Sequence, residues 1–129
     1  MRLGDSGEDL AAAFLEARGW KVLHRNFRLG RYEIDLIVSR DDLVAFVEVK
    51  TRTGSRFGHP AEAVTLEKRT RVTRVAEGWL EQYGSSRLVC RFDVIAVTIG
   101  DHDSPKIEHI EHAWSGAGLP DLSPTSGGV

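Results

Sequence analysis

Two acidic residues and a lysine stand inside apolar stretches of the sequence, where a charged side chain is unfavourable unless it is compensated. Asp35 lies in the run E-I-D-L-I-V, and Glu48 and Lys50 lie in the run L-V-A-F-V-E-V-K-T-R. Two carboxylates held close together repel each other unless one is protonated or a cation lies between them. With no His or Cys nearby, such oxygen ligands suit a hard divalent ion, Mg²⁺ or Mn²⁺. The residue types therefore predict a metal site with an amine beside it.

A β-hairpin is the element that would position these three residues. Both runs are rich in Val, Ile and Leu and contain neither Gly nor Pro, which predicts two strands. If residues 41–42 form a two-residue turn, Arg40 pairs with Leu43, and that register sets Asp35 opposite Glu48. Facing residues have Cβ atoms about 5 Å apart, a spacing from which two carboxylates can hold one ion. The lysine, two residues beyond Glu48, points to the same face of the sheet.

The spacing of these residues resembles a known nuclease signature. Asp35, twelve intervening residues and Glu48-Val49-Lys50 are similar to the D…E-x-K motif of the PD-(D/E)xK nuclease superfamily. With the segments G-E-D-L-A-A-A-F-L, F-G-H-P-A-E-A-V-T and C-R-F-D-V-I-A-V, the hairpin resembles the YraN-like family of small bacterial proteins, over about residues 4 to 114. The sequence departs from the pattern at Ile34, where the superfamily has proline, and at Tyr32, where the family more usually has Gly.

The resemblance implies an α/β fold with a restriction-endonuclease-like core, in which a mixed central β-sheet is flanked by helices. It also implies a metal site like that of archaeal Holliday junction resolvases. Lys50 would orient the attacking water or neutralise charge that builds on the phosphate. Glu8 would reach the metal as a third carboxylate, or would serve only as a first-turn acid that the helix dipole favours. The predicted metal ligands are Asp35, Glu48, the backbone carbonyl of Val49, Glu33 and Glu8.

Basic residues are concentrated near the predicted site. Residues 65–83 carry an apolar stripe at helical spacing, with Thr65 as the expected N-cap and Gly84 as the expected stop. The bases in the first half of this helix form either a solvated face or a surface for the phosphate backbone of DNA. The candidates for phosphate contacts, there and in the neighbouring loops, are Arg28, Arg31, Arg52, Arg56, Lys68, Arg69 and Arg71.

The remaining elements complete an α/β pattern. The periodicity predicts a first helix that Asp5 or Ser6 caps, then strands over residues 20–28, 88–99 and 107–114. Because the long helix crosses over from the hairpin to the 88–99 strand, those two neighbouring strands are expected to be parallel. Asp93, next to Arg91, is expected to pair with a base or to buttress the site, and a structural role is favoured. The histidines of the outer strands, His24, His109 and His112, are predicted to lie at the surface.

Composition places the chain among ordinary globular proteins, with 41% hydrophobic and 28% charged residues. We expect a single nuclease-like domain over residues 1–114 and a disordered Gly, Ser and Pro-rich tail over residues 115–129. No apolar run approaches a membrane span, and the start of the sequence lacks a signal-peptide pattern, so a cytoplasmic location is expected. The net charge of −2 is uneven, because residues 101–129 hold five acids and one base. The first hundred residues are therefore mildly basic.

These observations favour a Mg²⁺- or Mn²⁺-dependent endonuclease that hydrolyses phosphodiester bonds in DNA. By resemblance to the resolvases, branched or flapped DNA is the expected substrate, and a homodimer is the expected assembly because symmetric cleavage of two strands needs two sites. A different hypothesis is a non-catalytic nucleic-acid-binding module that serves as a scaffold in DNA processing. A third is a purely structural ion pair between Glu48 and Lys50.

Overall fold

Five strands and two helices make up the described part of the chain, which comprises residues 3–53, 64–85, 87–100 and 104–115 of a computed structural model. Residues 54–63, with Arg56, and the predicted tail beyond residue 115 lie outside the described residues, as do the side chains of residues 3–6. The elements are α1 (Leu3–Ala17), β1 (Lys21–Leu29), β2 (Tyr32–Arg40), β3 (Leu43–Thr53), α2 (Leu66–Tyr83), β4 (Val89–Ile99) and β5 (Lys106–Trp114).

The strands form one mixed sheet in the order β1-β2-β3-β4-β5. All neighbouring pairs are antiparallel except β3 and β4, which run parallel as the crossover through α2 predicts. The predicted α/β class is confirmed, and the arrangement is that of a restriction-endonuclease-like core. Neither described helix combines the length and the apolar character needed to cross a membrane.

The hydrophobic core has two layers because successive strand side chains point to opposite faces of the sheet. On β3, Val44 and Phe46 join a buried cluster with Val72, Val75 and Trp79 of α2. Ala45 and Val47, one position on, join the second cluster beneath Ala11 and Leu15 of α1. The sheet is therefore enclosed between one helix on each face, and Glu48 falls on the α2 side.

Helix α2 has the predicted boundaries. The Thr65 side chain accepts a hydrogen bond from the backbone N–H of Lys68 at 3.2 Å, and the N–H of Gly84 closes the last turn on the carbonyl of Leu80. Helix α1, in contrast, begins at Leu3, so Asp5 and Ser6 lie inside it and the predicted cap is wrong. The backbone at Gly7 lies directly against the Thr51 side chain on β3, so α1 packs closely on the sheet near this end.

Irregularities in the outer strands place the histidines differently from the prediction. A register shift between Val22 and His24 turns His24 to the α2 face, where Trp79 Nε1 donates a hydrogen bond to its Nδ1 at 2.9 Å. On β5, the register shifts opposite residues 92–94, and His112 adopts φ 51°. His109 becomes nearly buried and His112 half-buried. The expectation that these three histidines lie at the surface is therefore wrong.

Candidate functional site

The β2–β3 hairpin has the predicted turn and register. Arg40 pairs with Leu43 across the turn, and Asp41 adopts the left-handed conformation with φ 56°. The ladder runs without a shift as far as Leu36 opposite Val47, where the paired positions end. The next pair in this register would be Asp35 and Glu48, so the two acids lie where the two strands stop exchanging backbone hydrogen bonds.

Beyond this point a Val49 backbone group bonds to the Asp35 side chain and not to a backbone group of β2. The N–H of Val49 donates a hydrogen bond to Asp35 Oδ2 at 2.7 Å. Because the N–H and C=O of a strand residue point to the same side of the strand, we expect the Val49 carbonyl to face this same gap. Burial raises the pKa of Asp35, and the hydrogen bond from Val49 opposes that rise. The gap between the strands thus collects a carboxylate and a backbone carbonyl.

The Glu48 carboxylate is enclosed but poorly satisfied. The residue is 1% exposed, and within the described ranges neither Oε1 nor Oε2 accepts a hydrogen bond of good geometry. Its contact is an ion pair with Lys68, whose Nζ lies 3.1 Å from Oε2. Burial, together with repulsion from Asp35, raises the pKa of Glu48 to about 7. A buried carboxylate with so few polar partners is the type of group that binds a further cation.

Four charged groups converge at the site. Asp35 and Glu48 are joined by the half-buried ammonium groups of Lys50, from β3, and Lys68, from α2. Burial and the neighbouring Lys68 lower the pKa of Lys50. Burial also disfavours the charged form of Lys68, but attraction to Glu48 and Asp35 outweighs it and raises the pKa of Lys68. The two strands and α2 therefore bring two acids and two bases to one point.

The two further acids predicted as ligands, Glu33 and Glu8, lie on β2 and α1. Glu33 forms an ion pair with Arg28 across the β1–β2 ladder at 3.3 Å, and it is close enough to contribute to the raised pKa of Asp35. Glu8 lies half-buried on α1, the helix on the opposite face of the sheet. Within the described ranges, no three His, Cys, Asp or Glu side chains group as a metal site. The roles of Glu33 and Glu8 as ligands stay predictions.

The basic residues predicted to contact phosphates lie on several elements around the site. Arg31 is exposed at the β1–β2 turn, and Arg52 is half-buried at the end of β3, where its Nε lies 3.4 Å from Thr98 Oγ1. On α2, Arg69 donates to the carbonyl of Val64 at 3.0 Å, whereas Arg71 pairs with Glu67 and lies over the ring of Tyr32. Their contacts with DNA stay predictions.

Lys68 is the residue whose place the sequence did not indicate. It was predicted as one of several phosphate contacts, but the structure brings it into the carboxylate pair. A signal was present in the sequence, since Lys68 is the third residue of a helix capped by Thr65. The positive end of the helix dipole disfavours a cation there, so a compensating acid from elsewhere in the fold was to be expected.

Comparison with known proteins places the chain in a family. A family model described as "Uncharacterised protein family UPF0102" matches residues 7–97. The chain belongs to UPF0102. The match includes the whole candidate site, from Asp35 through Glu48 and Lys50 to Lys68, and it confirms the YraN-like resemblance seen in the sequence.

Similar UPF0102 proteins occur in bacteria of several genera. A UPF0102 protein of Rhodococcus jostii is 45% identical over 114 residues, covering 88% of this chain and 97% of the relative. One from Chloroherpeton thalassium is 47% identical over 98 residues, 76% of each chain. One from Geobacter sulfurreducens is 44% identical over 112 residues, 87% of this chain and 88% of the relative. The family thus extends over nearly the whole described domain.

Proposed function

We propose that this UPF0102 protein is a metal-dependent endonuclease that hydrolyses phosphodiester bonds in DNA. The observation that carries the proposal is the Glu48 carboxylate, which is buried beside Asp35 at the end of a strand ladder and whose contact among the described residues is an ion pair with the half-exposed Lys68. Asp35 raises the pKa of Glu48, and two acids buried this close together are unfavourable in a sheet unless a cation compensates them. Ionisable groups whose pKa is shifted by burial and by a specific charged neighbour are common at functional sites.

The donor atoms fit Mg²⁺ or Mn²⁺. Asp35 and Glu48 supply carboxylate oxygens, the Val49 carbonyl supplies a backbone oxygen, and Glu33 or Glu8 would complete the set with another carboxylate. An all-oxygen site suits these hard ions better than Zn²⁺, which favours His and Cys. When bound, the ion supplies Lewis-acid polarisation of the phosphate and a more acidic water.

Lys50 and several arginines would supply the remaining parts of the reaction. Lys50, half-buried beside both acids, orients the attacking water and stabilises the negative charge that develops on the phosphate. Arg28, Arg31, Arg52 and Arg71, with Arg56 and Arg69, would position the DNA backbone without reading its sequence. Branched or flapped DNA is the proposed substrate and a homodimer the proposed assembly, both from the resemblance to resolvases. A cytoplasmic location fits this role.

A second candidate function is a non-catalytic DNA-binding module. The ion pair between Lys68 and Glu48 favours it, because an internal ammonium group already compensates one of the two acids without a metal. In such a module DNA binding would be indifferent to Mn²⁺, whereas in the enzyme the carboxylates would make the protein respond to the ion.

A cleavage assay tests the proposal. Labelled duplex, flap, single-stranded and four-way-junction DNA would be incubated with the protein, with and without Mn²⁺. We expect Mn²⁺-dependent cleavage that falls about a hundredfold or more in Lys50→Ala, since an electrostatic stabiliser of the transition state is lost. Lys106→Ala, the same change at an exposed site on β5, is the matched control. Equal cleavage by wild type and Lys50→Ala would contradict the site assignment.

A further inference from the structure

Lys68 occupies a helix position that does not favour a lysine. It is the third residue after the Thr65 cap of α2, where the exposed backbone N–H groups create a positive potential. Its neighbour in the first turn, Glu67, satisfies that preference and pairs with Arg71 on the helix surface. Lys68 does not share this surface pairing. Its side chain instead reaches down to the sheet, so its position is explained by what it meets there.

At the sheet the ammonium of Lys68 compensates the carboxylate pair. Its Nζ lies 3.1 Å from Glu48 Oε2 and attracts Asp35 as well. Together with Lys50, it gives the site two positive and two negative groups. The charges of the metal-free site therefore balance without any external ion, and Lys68 is the member of the set that comes from a different element.

We propose that Lys68 is the internal counter-ion of the metal-free site, and that a divalent ion displaces its ammonium from Glu48 and frees it to contact the DNA phosphate. This inference rests on the proposed function in one respect, since it takes Asp35 and Glu48 as metal ligands. It adds that the Lys68 ammonium and the metal ion bind the Glu48 carboxylate in turn.

The geometry makes Lys68 able to leave without disturbing the fold. Its side chain is 42% exposed, whereas that of Glu48 is 1% exposed, so the lysine lies between the buried acid and solvent. The backbone of Lys68 is held by Thr65, and α2 is anchored through Val72, Val75 and Trp79. A flexible four-carbon side chain can then swing away while its helix stays in place.

The exchange also adjusts the charge of the site to the reaction. With a divalent ion added, the two acids and two lysines would carry a net positive charge. A phosphodiester gains negative charge as water attacks it, and positive groups fixed in advance stabilise that change. Lys68 would thus balance the acids before the metal binds and oppose the phosphate charge afterwards.

Calorimetric titration with MnCl₂ tests this exchange directly. Removing the competing ammonium in Lys68→Met should tighten the Kd for Mn²⁺ by about tenfold or more, because the ion then no longer has to break the Lys68–Glu48 ion pair to reach the carboxylate. Lys68→Arg retains the positive charge and should stay near the wild-type Kd. Arg74→Met, the same loss of charge farther along α2 beside Trp114, is the matched control. It should also leave the Kd unchanged.

Thermal melting gives the second readout. In EDTA, Lys68→Met should melt at a lower temperature than wild type, and added Mn²⁺ should raise its melting temperature by more than it raises that of wild type. If the Lys68→Met protein folds poorly, Lys68→Gln removes the same charge with a polar side chain, and the same shift in the Kd for Mn²⁺ is expected.

The outcomes separate this inference from the proposed function. An unchanged or weaker Kd in Lys68→Met and Lys68→Gln, or an equal tightening in Arg74→Met, would overturn the exchange even if the protein cuts DNA. A tighter Kd in the two Lys68 variants alone would support it even if no DNA is cut, and in that case only the nuclease proposal would fail. Absence of Mn²⁺ binding in wild type and all variants would overturn both.

Discussion

Two carboxylates are buried in the middle of this sheet, and their surroundings are opposite. Asp93 on β4 is 0% exposed and Glu48 on the adjacent β3 is 1% exposed. Asp93 receives four contacts: two from the Arg91 guanidinium at 2.8 and 2.9 Å, one from His109 Nε2 at 2.7 Å and one from the His112 backbone N–H at 3.0 Å. Glu48, in the part of the chain that the structure describes, has one ion pair, with Lys68.

The pKa directions follow this difference. Burial alone would raise both values, but at Asp93 the hydrogen bonds from His109 and Arg91 outweigh burial and lower the pKa. At Glu48 burial and Asp35 prevail, and the pKa rises to about 7. Asp93 is thus a completed structural group, whereas Glu48 keeps coordination capacity that the protein itself does not use. Two buried acids of one sheet therefore differ in how far their surroundings compensate their charge.

Removing the Asp93 carboxylate should have the largest effect on stability. Asp93→Ala leaves His109 without its acceptor and Arg91 with its longer contact to the exposed Glu111, and loss of one partner of a buried ion pair destabilises a protein by about 3–5 kcal/mol. Urea denaturation would measure the free energy of unfolding. Asp9→Ala, which removes an exposed pair with Arg25, should lower it by less than about 1 kcal/mol. A loss at Asp93 no larger than this control would show that the network is not structural.

Neutralising Glu48 should raise the free energy of unfolding at high pH, whereas removing the Asp93 carboxylate lowers it. In the metal-free protein, the folded state holds a proton on Glu48 more tightly than the unfolded state, so stability falls as the pH rises from about 4.5 to about 7. Glu48→Gln imitates the protonated form and should be more stable than wild type at pH 8 by roughly 1–3 kcal/mol, while the two proteins should be alike near pH 4.

Denaturation of wild type and Glu48→Gln between pH 4 and pH 8 in EDTA would check this sign. Asp93 contributes the reverse dependence, because its lowered pKa adds stability that is lost as the pH falls below about 4. Glu67→Gln, an exposed position on α2, is the matched control and should leave the pH profile unchanged. A Glu48→Gln protein that is less stable than wild type at pH 8 would mean that Glu48 is a satisfied structural group like Asp93.

The hairpin and its site were predictable because their signals are local. The turn at residues 41–42 fixes the pairing of Arg40 with Leu43, and alternation then carries Asp35 and Glu48 to one place without any long-range information. The helix α2 followed from its stripe and from Thr65 for the same reason. The composition of the strands also sufficed for the α/β class.

The contacts that were missed depend on backbone shifts and on packing between elements. One register shift in β1 moves His24 to the other face, and another in β5, opposite residues 92–94, lies where the backbone N–H of His112 reaches Asp93. A strict alternation of faces cannot anticipate either shift. Lys68 meets Glu48 only after α2 has packed on the sheet, twenty positions along the chain. The sequence could indicate that Lys68 needed an acid, but not which one.

Arg71 should show the smallest effect on stability, since its ion pair with Glu67 lies at the surface. Both side chains are largely exposed, and such a pair within one helix contributes about 0.3–0.5 kcal/mol. Arg71→Ala should therefore change the free energy of unfolding by no more than about 0.5 kcal/mol, in contrast to both buried carboxylates. If Arg71 contacts a phosphate, its loss should weaken DNA binding equally for all sequences and reduce the salt dependence by about one counter-ion.

Fluorescence anisotropy with labelled DNA at several salt concentrations would measure this change, and urea denaturation would measure the stability. Arg18→Ala, at the end of α1 on the opposite face of the sheet, should leave both the DNA affinity and its salt slope unchanged. If both variants reduce the salt slope equally, the positive charge acts through the general field of the protein. If only Arg71 does so, the DNA lies on the α2 face, where Glu48 also points, and not on the face that α1 covers.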